Sequence, residues 1–227
     1  MTAIWGHRGA SVARPENSIA AFVEARAQGA DGVELDVRRC RDGGLVVHHD
    51  ATLADGRLIV ETDVRDLPDG VCLLGDALDA CDDLLVNIEI KNVPVDPDFD
   101  PTERVAEQVV ALIGERTLQD RVLVSSFSLA TIDRVRALDG DLRCGYLTAS
   151  AWNQISCLER AVEHGHRALH PPHATVDPAL VAAAHDRGVS VHTWTVDDPE
   201  RIRWLASVCR VDAIITNVPD AARSALA

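Results

Sequence analysis

No run in this 227-residue sequence approaches the roughly 18 consecutive apolar residues that a membrane-spanning helix needs, so no integral membrane segment is expected. Positive charge is scarce too: 22 Lys and Arg stand against 36 Asp and Glu, a net charge of −14. Nucleic acids and anionic membrane surfaces are bound through attraction to a positive surface, so neither is an expected partner. The six cysteines (Cys40, Cys72, Cys81, Cys144, Cys157 and Cys209) form no close pairs, which argues against a disulfide framework and against a thiolate zinc site. The opening Met1-Thr2-Ala3-Ile4-Trp5 runs directly into polar Gly6-His7-Arg8-Gly9, without the basic and apolar segments of an export signal. A reducing, cytoplasmic compartment is the expectation. Internal repeats and low-complexity segments are also lacking, and composition speaks neither for nor against an oligomer.

With 47% apolar and 26% charged residues, the chain can bury one substantial core, and residues 1–227 are expected to form one domain. Short β-rich runs at 3–7, 32–36, 85–90, 121–125, 142–147, 166–169, 189–194 and 211–215 alternate with amphipathic helical stretches. The helix ends are marked. Asn17 or Ser18 caps a helix that stops at Gly29, and Asp177-Pro178 and Asp198-Pro199 open two more. Eight such units predict an α/β fold, a closed (β/α)8 TIM barrel. One run breaks the pattern: Leu45-Val46-Val47-His48-His49 follows the second strand after only Asp42-Gly43-Gly44. That is too short for a parallel crossover, so 37–50 must be an antiparallel hairpin that brings His49 back to the level where the second strand ended. A short insertion then precedes the third barrel strand, and Pro94 to Pro101 reads as an extended loop.

Active sites of such barrels lie at the C-terminal ends of the strands, and ionisable residues concentrate there. The first strand ends in His7-Arg8-Gly9, the second carries Glu34 and Asp36, the hairpin returns at His49-Asp50, and the third barrel strand leads through Glu89 to Lys91. Alternation places Glu34 and Asp36 on one face, opposite Val33, Leu35 and Val37, and does the same for Asn87, Glu89 and Lys91 against Ile88 and Ile90. Three carboxylates at one mouth repel unless a cation lies between them or their pKa values rise. All-oxygen ligation suits a hard divalent cation, Mg²⁺ or Ca²⁺, with Mn²⁺ a further candidate, rather than zinc. The alternative is a set of structural ion pairs with Arg8 and Lys91. His7 and His49 suit an acid–base pair near neutrality. Arg8 and Lys91 supply the local positive charge that an anionic substrate requires. Trp194 either walls a pocket or belongs to the core. His164, His166, His170 and His173 show metal-like spacing, but no carboxylates accompany them, and a metal role is not expected there.

These residues form a recognisable series. His7-Arg8-Gly9 with Pro15-Glu16-Asn17-Ser18, Gly29-Ala30-Asp31-Gly32-Val33-Glu34-Leu35-Asp36-Val37, Asp42-Gly43 leading to His49-Asp50, Asn87-Ile88-Glu89-Ile90-Lys91, Ser125-Ser126-Phe127, Trp194-Thr195-Val196, and Val211 to Thr216 before Pro219 occur in order. Over nearly its whole length the chain resembles the glycerophosphodiester phosphodiesterase family. The resemblance implies a (β/α)8 barrel, a divalent metal held by Glu34, Asp36 and Glu89, acid–base histidines His7 and His49, phosphate contacts from Arg8 and Lys91, and Trp194 near the alcohol pocket. It implies metal-dependent hydrolysis of a small-molecule phosphodiester to sn-glycerol 3-phosphate and an alcohol. A lysophospholipase D-like activity on the same scaffold and a non-catalytic phosphoester-binding barrel stay open as alternatives. Two departures stand out. The insertion after His49 is shorter than the family's usual one, which implies a more open pocket, and Thr216-Asn217 replaces the usual Thr-Asp, a change expected to lie behind the catalytic groups.

Overall fold

Strand and helix alternate through residues 2–227, which the computed structural model describes. The order is β1 (Ala3–His7), α1 (Ile19–Ala27), β2 (Gly32–Arg39), β3 (Leu45–Val47), α2 (Leu74–Ala80), β4 (Leu85–Ile90), α3 (Arg104–Arg116) and β5 (Val122–Ser126). It continues with α4 (Leu129–Leu138), β6 (Arg143–Leu147), α5 (Gln154–Glu163), β7 (Ala168–His170), α6 (Pro178–His185), β8 (Ser190–Thr193), α7 (Pro199–Trp204), β9 (Ala213–Thr216) and α8 (Pro219–Leu226). All strands but β3 pair in parallel in the order β1-β9-β8-β7-β6-β5-β4-β2, and β1 pairs with β2 to close the barrel. The helices begin where the sequence marks them: Ser18 Oγ accepts from Ala21 N at 3.2 Å, and Asp177 and Asp198 cap their helices at 2.8 Å each. No helix among the described residues is long and apolar enough to cross a membrane. All six cysteines are free thiols.

Alternation along the strands divides the buried residues into two layers. Val33, Leu35, Val37, Val86, Ile88 and Ile90 point outward into a continuous core beneath the helices. Trp5, Leu123, Ala168, Ala213 and Ile215 form a second, smaller cluster inside the barrel. The barrel interior is also polar. Asn87, Ser125, His170 and His192 are buried there, with the His170 and His192 rings 4.8 Å apart. Gly145 makes room for them, because a Cβ at that position would lie 2.5 Å from His170 Nε2.

β2 extends to Arg39, three residues past the expected end at 36, because its upper part has a partner. β1 pairs only with Gly32 to Glu34, which leaves the edge of β2 open above that point, and β3 returns antiparallel along it with Val37 opposite Val47 and Arg39 opposite Leu45. The turn between them needs the left-handed φ of 93° at Gly43. His48 N then donates to Asp36 O at 3.0 Å, which sets His49 at the level of the second acid of β2. β7 starts at Ala168 rather than 166, since the His166 amide closes the end of α5 by bonding Ala161 O at 2.8 Å instead of a neighbouring strand.

Candidate active site

The parallel register assembles the acidic cluster. Glu34 lies beside His7 and Asn87 on the flanking strands, and Asp36 lies beside Glu89. All three carboxylates are buried, and each offers an oxygen within 4.8 Å of the others. Burial and then the charges of Asp36 and Glu89 push the Glu34 carboxyl well above its usual range. Burial likewise lifts Glu89 to about 7, against the opposing pull of Lys91. Asp36 goes the other way: burial would raise it, but Lys91 and Arg8 together hold it below its usual value.

Two cations are built into the cluster. Lys91 Nζ lies 3.0 Å from Asp36 Oδ1 and also bonds Glu89 Oε1. Arg8 places Nε 3.1 Å from Asp36 Oδ2 and Nη1 2.9 Å from Glu16 Oε1, while its backbone N–H donates to Glu34 Oε2 at 3.0 Å. Asn17 completes the support, donating from Nδ2 to Asp36 Oδ2 at 2.8 Å. Arg8 and Asn17 both adopt a left-handed φ of 55°, a conformation that non-glycine residues hold only where surrounding contacts fix it, and here both side chains end on Asp36. The ion-pair reading of the sequence is therefore present in the structure, but it does not account for every acid. Three carboxylates face two cations, and Glu34 Oε1 is buried with no protein partner. A free carboxylate oxygen in an oxygen-only donor set with residual negative charge fits a hard divalent cation.

The two histidines approach from different elements. His7, at the end of β1, sets Nδ1 2.7 Å from Asn217 Oδ1. Asn217 is itself oriented, since its Nδ2 donates to Asp197 Oδ2 at 2.6 Å and its backbone N–H to Asp197 Oδ1 at 2.8 Å. The amide oxygen must therefore face His7 and accept from Nδ1–H, which leaves the Nε2 lone pair free. Burial lowers the His7 pKa below its ordinary value, outweighing the bond to Asn217. His49, after the hairpin, sets Nδ1 2.7 Å from the Asp50 carboxylate.

His7, Arg8, Glu34, His49, Glu89 and Lys91 line one cleft of about 140 Å³, and Asn87 lines it at the level of Glu34. Trp194 lines the same cleft, fixed by Nε1–H donation to His170 O at 2.8 Å and packed edge-to-face on Phe127 with centroids 5.8 Å apart. An open groove bounded by Glu16, Thr52 and Gly70 shares His49 with the cleft. Asn217 lies behind His7, where the sequence placed it, whereas reading single residues missed Asn17 as a support of Asp36, Asp197 behind Asn217, and Phe127 in the wall. Asn17 and Phe127 stand inside the quoted motifs, which was the signal for them. Asp197 carried none. The four spaced histidines separate: His170 enters the barrel, His173 joins a short turn, and His164 and His166 meet on the outer flank.

Residues 7–221 match the model of the glycerophosphoryl diester phosphodiesterase family. The chain belongs to this family of phosphoric diester hydrolases. It is 31% identical to a glycerophosphodiester phosphodiesterase of Caldanaerobacter subterraneus subsp. tengcongensis, over 96% of this chain and 95% of that protein. The alignment, 249 positions, is longer than this chain, so the relative carries segments that are absent here. A glycerophosphodiester phosphodiesterase of Bacillus altitudinis is 30% identical over 98% of this chain and 97% of its own length. Among solved structures, an Oleispira antarctica phosphodiesterase in complex with the product sn-glycerol-3-phosphate superposes with a TM-score of 0.87 at 25% identity, covering 100% of this chain and 97% of that one. The Thermotoga maritima glycerophosphodiester phosphodiesterase gives 0.82 at 27%, covering 97% and 96%.

Proposed function

We propose that this family member hydrolyses glycerophosphodiesters to sn-glycerol 3-phosphate and an alcohol, with a divalent cation held by Glu34, Asp36 and Glu89. The observation that carries the proposal is the convergence of two imidazoles, two carboxylates and two cations on one cleft, with Asp36 buried within reach of both acids, on a backbone that closely follows a phosphodiesterase solved with sn-glycerol-3-phosphate. Glu34, Asp36 and Glu89 would hold Mg²⁺, Ca²⁺ or Mn²⁺, which would supply Lewis-acid polarisation of a phosphoryl oxygen. Arg8 and Lys91 neutralise charge that develops on the phosphoryl group. His7, with Nδ1–H held by Asn217 and Nε2 unprotonated, takes the proton of the attacking water, or of a glycerol hydroxyl whose attack gives a cyclic phosphate that water then opens to glycerol 3-phosphate. His49, oriented by the Asp50 carboxylate, gives a proton to the leaving alkoxide. Trp194 and Phe127 wall the alcohol side. Free thiols and an acidic surface suit a cytoplasmic setting, and the single barrel acts as one catalytic domain.

Release of glycerol 3-phosphate from glycerophosphocholine is the test, run on chelator-treated protein with Mg²⁺, Ca²⁺ or Mn²⁺ restored in turn. Product that appears only with an ion supports the reading, and none with any ion removes it. Trp152, 41% exposed and edge-on to Phe127, extends the aromatic wall outward and favours a bulkier, lysophospholipase D-like substrate. Lysophosphatidylcholine belongs in the same assay, and preference for it selects that reading.

A further inference from the structure

On the outer flank of the barrel, α4 and the end of α5 bring together three ligating side chains that the phosphodiesterase chemistry does not use. Asp133 of α4 receives His164 Nδ1 on Oδ2 at 2.8 Å and His166 Nε2 on Oδ1 at 2.8 Å. One carboxylate oxygen of Asp133 and one ring nitrogen of each histidine all lie within 4.8 Å of one another. The two rings are nearly parallel, with 15° between their planes and 6.3 Å between their centroids. This is the carboxylate that the spacing of the histidines lacked in sequence, and the fold supplies it from about thirty residues upstream.

The backbone pre-organises the pair. His164 caps α5, Gly165 follows with a left-handed φ of 78°, Gly165 N bonds Val162 O at 3.0 Å, and His166 N bonds Ala161 O at 2.8 Å. That double closure is the Schellman helix end, and it fixes the direction in which the residues on either side of the glycine leave the chain. His166 is fully buried, whereas Asp133 and His164 are a little over a third exposed, so the three donors form a shallow site open on one side.

We propose that Asp133, His164 and His166 form a second metal site, selective for a borderline transition cation such as Zn²⁺. Two imidazoles and one carboxylate match the donor preference of that class and not of Mg²⁺ or Ca²⁺, which take oxygen. Without the ion, the carboxylate accepts an N–H from each ring. With it, the same two nitrogens present lone pairs, each ring carries its proton on the other nitrogen, and water fills the open position. The Arg136 guanidinium, 3.0 Å from where a Cβ on Gly165 would lie, is a neighbouring positive charge and keeps affinity below that of a closed four-ligand site. The segment that runs from α5 into β7 enters the barrel at the end opposite the mouth, so the ion acts as a staple between α4 and the start of β7 and takes no part in turnover.

The test is calorimetric titration of the chelator-treated full-length protein with Zn²⁺, in excess Mg²⁺ so that the oxygen cluster is occupied. It is repeated on His164→Ala and Asp133→Asn, which change partly exposed side chains and leave the buried His166 in place. Expected is one Zn²⁺ bound by the parent and weakened at least about tenfold in each variant. Zn²⁺ should also raise the melting temperature of the parent alone. No Zn²⁺ bound by the parent, or equal affinity in parent and variants, overturns the site. Because Zn²⁺ binding is read directly, the result does not depend on which diester the mouth hydrolyses.

Discussion

The two histidines occupy unlike surroundings, and in the proposed mechanism the difference gives them different tasks. His7 meets a neutral amide whose orientation is dictated by Asp197, and burial disfavours its charged form. His49 meets a carboxylate directly. A base must begin unprotonated, so His7 suits proton removal, which in the proposed mechanism leaves proton donation to His49. Each alanine variant should lose about 10² to 10⁴ in turnover on glycerophosphocholine, whose leaving alkoxide needs a proton. A p-nitrophenyl diester leaves without one, so His49→Ala should recover most of its loss on that substrate while His7→Ala does not. Steady-state kinetics on both substrates decide the matter, and recovery by His7→Ala alone would reverse the assignment.

Between residue and fold, the hairpin and the loop after β4 act as one element through Arg38. This side chain is 4% exposed and donates from Nε to His49 O at 2.8 Å. Its Nη1 lies 2.7 Å from Asp98 and its Nη2 3.0 Å from Asp96. Three segments thus meet on one guanidinium: the tip of β2, the return of the hairpin and the loop that follows Lys91. Arg38→Met would leave Asp98 buried without its partner, a loss worth roughly 3 to 5 kcal/mol. Urea denaturation should show that loss. Turnover measured well below the melting temperature should also fall, since the carbonyl of His49 is released. An unchanged denaturation midpoint would show that solvent replaces the guanidinium at little cost. The hairpin itself was legible in sequence, because three turn residues cannot bridge parallel strands. The Arg38 tie was not, since alternation says which face Arg38 takes but not that Asp96 and Asp98 come to meet it.

Across the whole molecule, the barrel interior stores an acid sensitivity. Burial holds the His192 pKa down to about 4 from an ordinary 6.5, and His170 beside it is lowered by burial and by the neighbouring imidazole. Between pH 6.5 and 4 the unfolded chain protonates His192 and the folded chain does not, so stability falls as pH drops through that window. For His192 alone the loss amounts to about 3 kcal/mol. Glu34 and Glu89, raised by burial, act in the opposite sense, so the clean observable is the difference between the protein and His192→Leu. That difference in unfolding free energy should shift steadily against the parent from pH 6.5 to 4. A constant difference would mean that His192 titrates normally in the folded state.

The strands, the two faces of each, the hairpin and the acidic mouth follow from alternation, turn length and helix punctuation, all of which act over a few neighbouring residues and can be read along a line. The expectations of no membrane-spanning helix and no polyanionic partner came from apolar-run length and charge for the same reason, both being sums over the chain. What joins distant segments belonged to the tertiary structure. Asp36 stands opposite Glu89 because two strands pair in one register, Asp197 reaches Asn217 and so orients His7, and Asp133 reaches a histidine pair that looked unaccompanied. Nothing in the spacing of a sequence encodes which oxygen of a distant acid ends near which nitrogen. That is decided only when the barrel closes and burial forces each polar group to find a partner or go without.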